Sequence, residues 1–306
     1  MTRNNYVAVS VNPATQKKEI LPYLALAFGI LSLSFSAIFV RWANAPGSIM
    51  AFYRLGIATL ILAPVFFTKG SHIKVKNLGW GVLIFPLAGG FFTALDHAIW
   101  GSAMVYTSAA NATLMNYAAP VWIALVAWLY FKEKLTRKFW IGLALTFFGV
   151  SVVLGSDFLI NPEVGKGDLL AFISSFFYAG YFLVTQSGRK HLDTLSYIWL
   201  VGLASTFTLL IINLGLKIPL TGYPAQAYWA FLGAALLSQI GGYVSVGYAL
   251  GHIPASVVSP TMISQPVLTA ILAVPLLGER MYPAQIVGGL IVLVGIYWVN
   301  NSRKVG

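Results

Sequence analysis

Apolar runs long enough to cross a lipid bilayer fill almost the whole of this 306-residue chain. A spanning helix needs about 20 predominantly apolar residues. Runs of that order lie at 23–40, 48–67, 80–100, 106–131, 139–154, 169–185, 197–216, 229–248, 255–277 and 282–300, separated by short polar or turn-forming segments. Hydrophobic residues make up 58% of the chain and charged ones 9%, with a mean hydropathy of +0.79, so a soluble domain is excluded in favour of a multi-span membrane protein. The runs are continuously apolar and lack the residue-by-residue alternation of barrel strands, so helices, which satisfy their backbone hydrogen bonds internally, are expected. Residues 1–19 are polar and the first run follows without a cleavage-like break, so a removable secretory leader is not expected.

Within this frame the chain repeats itself. The stretch 107–142, TSAANATLMNYAAPVWIALVAWLYFKEKLTRKFWIG, returns in outline 146 positions later without a gap: Pro120 is echoed by Pro266, Ala124 by Ala270, Ala127 by Ala273, Glu133 by Glu279, Lys134 by Arg280, Gly142 by Gly288 and Gly149 by Gly295. A constant offset across so many punctuating residues marks an internal repeat. The segment 155–167, with Asn161-Pro162 and Gly165, reads as the turn dividing the copies. The expected organisation is a tail at 1–22, a first repeat at 23–155, a connection at 156–167, a second repeat at 168–300 and a tail at 301–306.

Charge orients the spans. With the amino terminus inside and ten spans alternating, the inside segments hold 14 of the 19 basic residues, in the groups Arg3/Lys17/Lys18, Lys69/Lys74/Lys76, Lys132/Lys134/Arg137/Lys138, Arg189/Lys190 and Arg303/Lys304. Arg41, Lys166, Lys217 and Arg280 fall outside, and Arg54 lies within a span. That bias is the positive-inside rule, and it places both termini in the cytoplasm. The formal net charge of +11 is accounted for by these loops, so no nucleic-acid partner is expected. Five spans per repeat is an odd number, so the second copy runs upside down relative to the first. The expected fold class is an all-α polytopic membrane protein of ten helices in two inverted five-helix repeats.

Inverted repeats are the architecture of secondary transporters: opposed halves exchange conformations and expose an interface site to each side in turn. The absence of cysteine excludes disulfides, thiolate nucleophiles and cysteine-based metal sites. No HExxH, GxSxG or P-loop occurs, so neither an enzyme motif nor an ATP-driven engine is present, and no cofactor or metal is expected. The polar residues on apolar helices form the candidate substrate cavity: Trp100, Asn111, Asn116, Tyr117, Tyr178, Tyr181, Gln239, Tyr243, Ser259, Ser264 and Gln265. Each is weighed against helix–helix hydrogen bonding or interfacial anchoring. Amides, hydroxyls and rings with few fixed charges fit a small polar or amphipathic metabolite better than a bare ion.

Charge inside a membrane is costly and often functional. Arg54 reads either as a clamp on a neighbouring helix or as a contact for a substrate carboxylate or phosphate. Asp96 and His97, consecutive and so not on one helical face, read as a proton relay, as cavity polarity, or as groups near the interface. Pro120 and Pro266 lie at matching depth and are expected to kink helices near the cavity or its gate, with a second break expected at Pro260. Glu133 and Glu279 sit just past their helices, as solvated loop charges or as closures of the two ends of the pathway. Gly142/Gly149 and Gly288/Gly295 are seven apart, two turns on one face, and read as close packing. A monomer surrounded by lipid is expected, with a dimer across those glycines left open.

These residues also resemble a known family. The stretch 107–142 is similar to the signature end of an EamA domain of the drug/metabolite transporter superfamily. MAFYRLGIATLIL from Met50 to Leu62 is similar to that domain's second helix, and SQPVLTAILAVPLLGERMYPAQIVGG from Ser264 repeats the signature. The resemblance implies ten helices, a central cavity between two five-helix halves and export of small metabolites, amino acids and related compounds foremost, often with proton coupling, across a bacterial cytoplasmic membrane. Import of a small polar metabolite by the same architecture, and a membrane-embedded lipid-modifying enzyme built on Asp96-His97, are the competing readings.

Overall fold

The computed structural model describes residues 20–103, 106, 112, 115–160, 165–278 and 283–302. These form helices joined by turns and short loops, with no strand among the described residues. The helices are α1 (Ile20–Ser34), α2 (Ser36–Ala43), α3 (Gly47–Thr68), α4 (Ser71–Leu78), α5 (Trp80–Ala103), α6 (Ala119–Leu129), α7 (Arg137–Ile160), α8 (Lys166–Gly188), α9 (Thr194–Gly215), α10 (Ala225–Gly233), a π-helical stretch Ala234–Tyr243, α11 (Val244–Leu250), α12 (Ala255–Met262), α13 (Gln265–Leu277) and α14 (Pro283–Asn301). Eight units among the described residues are long and apolar enough to cross a membrane, with α6 a shorter apolar helix of 11 residues. The expected basic loop after α3 is folded, in part, as the short helix α4, opened by Gly70 in a left-handed conformation.

Lipid is as apolar as leucine, so helices here are held by close backbone approach and by hydrogen bonds rather than by hydrophobic burial. The tightest seam joins α7 to α14. A methyl group added at Gly142 would lie 2.8 Å from Gly295 O, and one at Gly149 would lie 2.8 Å from Gly288 O. Each glycine therefore meets the repeat-mate of the other, and the two helices run antiparallel. The α3–α9 pair behaves alike: Gly56 abuts Thr206, Gly202 abuts Thr59, and Asn213 Nδ2 donates to Ser48 O at 3.4 Å. Equivalent helices of two copies that pack antiparallel are related by a twofold lying across, not along, the helix axes.

Turns interrupt the apolar spans 23–40 and 255–277, and also 106–131 at Tyr117-Ala118. The first is continuous in sequence yet turns at Phe35, which frees carbonyls on α1. The second break supplies their partners: Gln265 Nε2 donates to Leu33 O at 3.2 Å and Thr269 Oγ1 to Ser34 O at 2.9 Å, while Ser238 Oγ donates to Ser32 O at 3.2 Å. Irregular backbone is tolerated at such depth only when satisfied in this way. The break expected at Pro260 does not occur there, because α12 runs through that residue and turns at Ile263-Ser264. Pro266 then occupies the first turn of α13, and Pro120 the first turn of α6, where a missing N–H leaves no intrahelical bond unmade. The prolines start half-helices rather than bending whole ones. The span 229–248 also differs from expectation, since it contains the π-helical stretch, wound between Gly233 and the Gly241-Gly242 pair that admit Phe39, Ser32 and Leu33 closely.

Candidate functional site

A chain of buried polar side chains runs from α3 to α8 through the middle of the helix packing. Arg54, only 5% exposed, projects from α3, and its Nη2 donates to His97 Nε2 on α5. His97 Nδ1 lies 2.8 Å from Thr93 O, one turn back on the same helix. A carbonyl only accepts, so the neutral imidazole with its proton on Nδ1 satisfies both contacts, leaving Nε2 as the acceptor facing Arg54. Asp96 is 7% exposed, and its Oδ1 accepts from Asn116 Nδ2 at 2.8 Å; Asn116 Nδ2 also reaches Ser174 Oγ on α8 at 2.7 Å. Ser174 Oγ in turn donates to Ala171 O. Asp96 Oδ2 and His97 Nδ1 are 3.6 Å apart, closer than their divergence around the helix suggests, yet they serve different neighbours. Asp96 is buried and His97 largely so, both turned towards neighbouring helices.

Tyrosines close the other side. The guanidinium of Arg54 stands 5.7 Å from the ring centroid of Tyr243, within cation–π range. Tyr243 packs edge-on against Tyr181, and Tyr178 edge-on against Phe182. Tyr178 and Asp96 are near enough to Arg54 to act on it electrostatically. Tyr117 is buried against Val150, Ile263, Val292 and Ile296. Several buried polar atoms have no hydrogen-bond partner among the described residues, including Arg54 Nε, Trp100 Nε1, Tyr181 Oη, Gln239 Oε1 and Ser259 Oγ. Unmade bonds of this kind are expensive, and in a native protein they point to water or a ligand.

Not every candidate joins this cluster. Ser264 Oγ bonds back to Thr261 O within its own turn, and Gln265 bridges to α1 as a helix–helix bond. Gly142, Gly149, Gly288 and Gly295 form the α7–α14 seam within one chain. Asn111 and Glu279 lie outside the described residues. Ser174 was not among the sequence candidates, and its signal was weak: a serine pair, Ser174-Ser175, on an apolar helix. Its neighbour Ser175 accepts from Trp122 Nε1 at 2.9 Å, tying α8 to α6.

A second constellation lies at the end where the basic loops gather. Glu133 Oε2 accepts from Ser256 Oγ at 2.7 Å, at the start of α12, and Gln186 Oε1 accepts from the backbone N–H of Ala255 at 2.6 Å. Two side chains thus occupy the electropositive first turn of a half-helix. Arg189, just past α8, donates to Gly247 O at 3.0 Å and also to Leu192 O. Burial lowers its pKa from the ordinary arginine value, and Asp193 opposes that shift. A separate groove of about 440 Å³, lined by Leu95, Ala98, Ile99, Ser102, Leu170, Ile212, Gly215 and Leu216, shares no residue with the polar chain and suits a lipid tail rather than a polar solute. No cluster of three or more His, Asp or Glu side chains that could hold a metal occurs among the described residues.

Fold and site together define a polytopic all-helical membrane protein of two repeats, with a buried polar cluster where the repeats meet. The chain belongs to the EamA-like transporter family, within the drug/metabolite transporter superfamily, matching it twice, over residues 20–155 and 165–301. It is 28% identical over 289 residues to an uncharacterised transporter of Archaeoglobus fulgidus, covering 92% of this chain and 96% of that one. It is also similar to a WAT1-related protein of Arabidopsis thaliana, at 24% identity over 92% of this chain and 84% of that one. Human solute carrier family 35 member G1 is 23% identical over 78% of this chain and 68% of its own length. A solved crystal structure shares the fold with a TM-score of 0.78 at 17% identity, covering 92% of this chain and 99% of that one. The protein is therefore a multi-pass membrane transporter of this family.

Proposed function

We propose that the protein is a secondary transporter of ten membrane helices in two inverted five-helix repeats, at 23–155 and 168–300, joined by 156–167. It exports small metabolites, amino acids and related compounds, from the cytoplasm by alternating access. Both termini, 1–22 and 301–306, face the cytoplasm of a bacterial inner membrane. The observation that carries this reading is the buried chain Arg54–His97–Asp96–Asn116–Ser174, flanked by unpaired polar atoms and drawing on both repeats. The antiparallel packing of equivalent helices supports the inversion. The Glu133–Ser256 and Gln186–Ala255 contacts support a state closed on the basic-loop side, with Glu133 as a latch. Trp100, Tyr117, Tyr178, Tyr181, Gln239, Tyr243 and Ser259 are the proposed cavity side chains. Asp96 and His97 are the proposed carriers of proton coupling.

Counterflow in proteoliposomes with a labelled metabolite panel tests the reading. Flux of at least one amino acid or related compound is expected, falling when the pH gradient is collapsed. Folded protein that moves nothing overturns the function; flux indifferent to the gradient overturns the coupling. The topology has its own test, made clean by the absence of native cysteine. Single cysteines at Thr136 and Glu279 are expected to react with impermeant reagents from opposite sides.

A further inference from the structure

Arg54 presents an unusual account of charge. Arg54 is 5% exposed, yet no carboxylate among the described residues is recorded within ion-pair distance of it. Its Nη2 is turned to a neutral acceptor, His97, and its Nε has no partner. Asp96 is the acid that acts on Arg54, but its Oδ1 accepts from Asn116, and His97 touches Arg54 through Nε2 while its Nδ1 side faces Asp96. Buried charges in proteins are paired, because an isolated ion in a low-dielectric interior is strongly disfavoured. A guanidinium held in place by a neutral histidine and a tyrosine ring, with an N–H unpaired among the described residues, is disposed to bind an anion.

The surroundings narrow the anion. Asp96, His97, Tyr178 and Tyr243 are the titratable groups that interact electrostatically with Arg54 among the described residues, and no lysine or second arginine is among them. A single arginine charge with Asp96 already acting on it favours a monoanion over a dianion. A planar carboxylate also matches the fork geometry of guanidinium. Around it stand the rings of Tyr178, Tyr181 and Tyr243, a wall suited to an apolar or aromatic body.

We propose that the solute carries a carboxylate, bound by Arg54, with an apolar body against Tyr178, Tyr181 and Tyr243, and that an ammonium group is not required. This rests on the transporter reading and specifies its substrate class. The test uses the whole protein in nanodiscs and measures competition against the solute that the flux panel identifies. The competitors are matched sets: 3-phenylpropionate, phenylalanine, 3-phenylpropionamide, phenethylamine and 2-phenylethylphosphonate, with acetate and acetamide as the small pair. Each acid is expected to compete about tenfold or more better than its amide, the scale of one charge-assisted hydrogen bond. 3-Phenylpropionate is expected to match or exceed phenylalanine. Arg54→Lys, which keeps the charge and loses the fork, is expected to weaken the acids about tenfold and the amides less than about twofold. The acid–amide comparison on the unaltered protein stands even where that variant does not fold. Equal competition by acid and amide, preference for the phosphonate or the amine, or acid binding indifferent to Arg54→Lys overturns the assignment. Neutral or cationic solutes that move while acids neither move nor compete overturn the carboxylate alone; a panel in which nothing moves overturns the transporter reading itself.

Discussion

Gly149→Ala is expected to destabilise the protein although alanine is the better helix former. The added methyl would lie 2.7 Å from Val292 N and 2.8 Å from Gly288 O, both backbone atoms of α14. No side-chain rotation relieves such a contact, so the α7–α14 seam must open by about 0.7 Å before the pair reaches ordinary van der Waals distance. A gap of that order along an interdigitated seam forfeits about a quarter to a half of the dispersion energy of the atoms it separates. Overpacking of this kind costs about 1–3 kcal/mol, against a gain of about 0.5–1 kcal/mol from replacing a mid-helix glycine. The net loss is centred on about 1 kcal/mol, within a span of about 0–2.5 kcal/mol. Gly81→Ala is the control, since nothing lies within 4 Å of a methyl group there, and it is expected to be neutral or stabilising. Denaturant unfolding of the detergent-solubilised protein, followed by tryptophan fluorescence, separates the two. A Gly149→Ala protein no weaker than Gly81→Ala refutes the close antiparallel crossing.

Gln265→Leu leaves the Leu33 carbonyl without its donor and is expected to cost about 1–3 kcal/mol in the same unfolding assay. Ser259→Ala removes a hydroxyl with no protein partner and is expected to leave stability unchanged or raised while solute affinity falls. Glu133→Ala removes the acceptor of Ser256 and a negative charge at the first turn of α12, an interaction of about 1.5–3 kcal/mol. Labelling of a cysteine at Ser259 from the basic-loop side should then quicken about tenfold or more.

The existence of the spans, the repeat and the charged positions was legible in the sequence because each has a strong local signature: length of apolar run, constant offset, and rarity of charge in hydrocarbon. The breaks were not. The turn at Phe35 carries neither proline nor glycine, because its freed carbonyls are satisfied by Gln265 and Thr269, more than 230 positions away. The π-helical stretch was equally hidden, since one extra residue in a turn leaves no periodic mark in a helix that is apolar all round. Pro266 was read as a kink within a helix and is instead the start of one, a distinction of two residues that depends on where the upstream half stops. Ser264 and Gln265 looked like cavity polarity for the same reason that they serve as struts: any polar side chain at depth must bond to something, and sequence does not say to what.

The offset of 146 that reveals the repeat also explains where the polar chain sits. It pairs His97 with Tyr243, Gly56 with Gly202, Arg54 with Leu200 and Asp96 with Gly242. Arg54 therefore lies between equivalent positions of the two copies, bonding to His97 on one side and facing the Tyr243 ring on the other. The glycines of the α7–α14 and α3–α9 seams are kept in both copies, whereas Arg54, Asp96 and His97 have uncharged repeat-mates. A pseudo-twofold scaffold gives closure at either end a similar packing energy, which is the condition for two states separated by only a few kcal/mol. Whatever breaks the symmetry then sets the balance. At the basic-loop end that element is the hydroxyl of Ser256 bonding Glu133, and the repeat-mate of Ser256 is Ala110, which has no hydroxyl to offer Glu279. Under the proposed mechanism the resting protein is accordingly held shut on the cytoplasmic side, and a bound solute must bring differential contacts worth about 1.5–3 kcal/mol to reverse that preference.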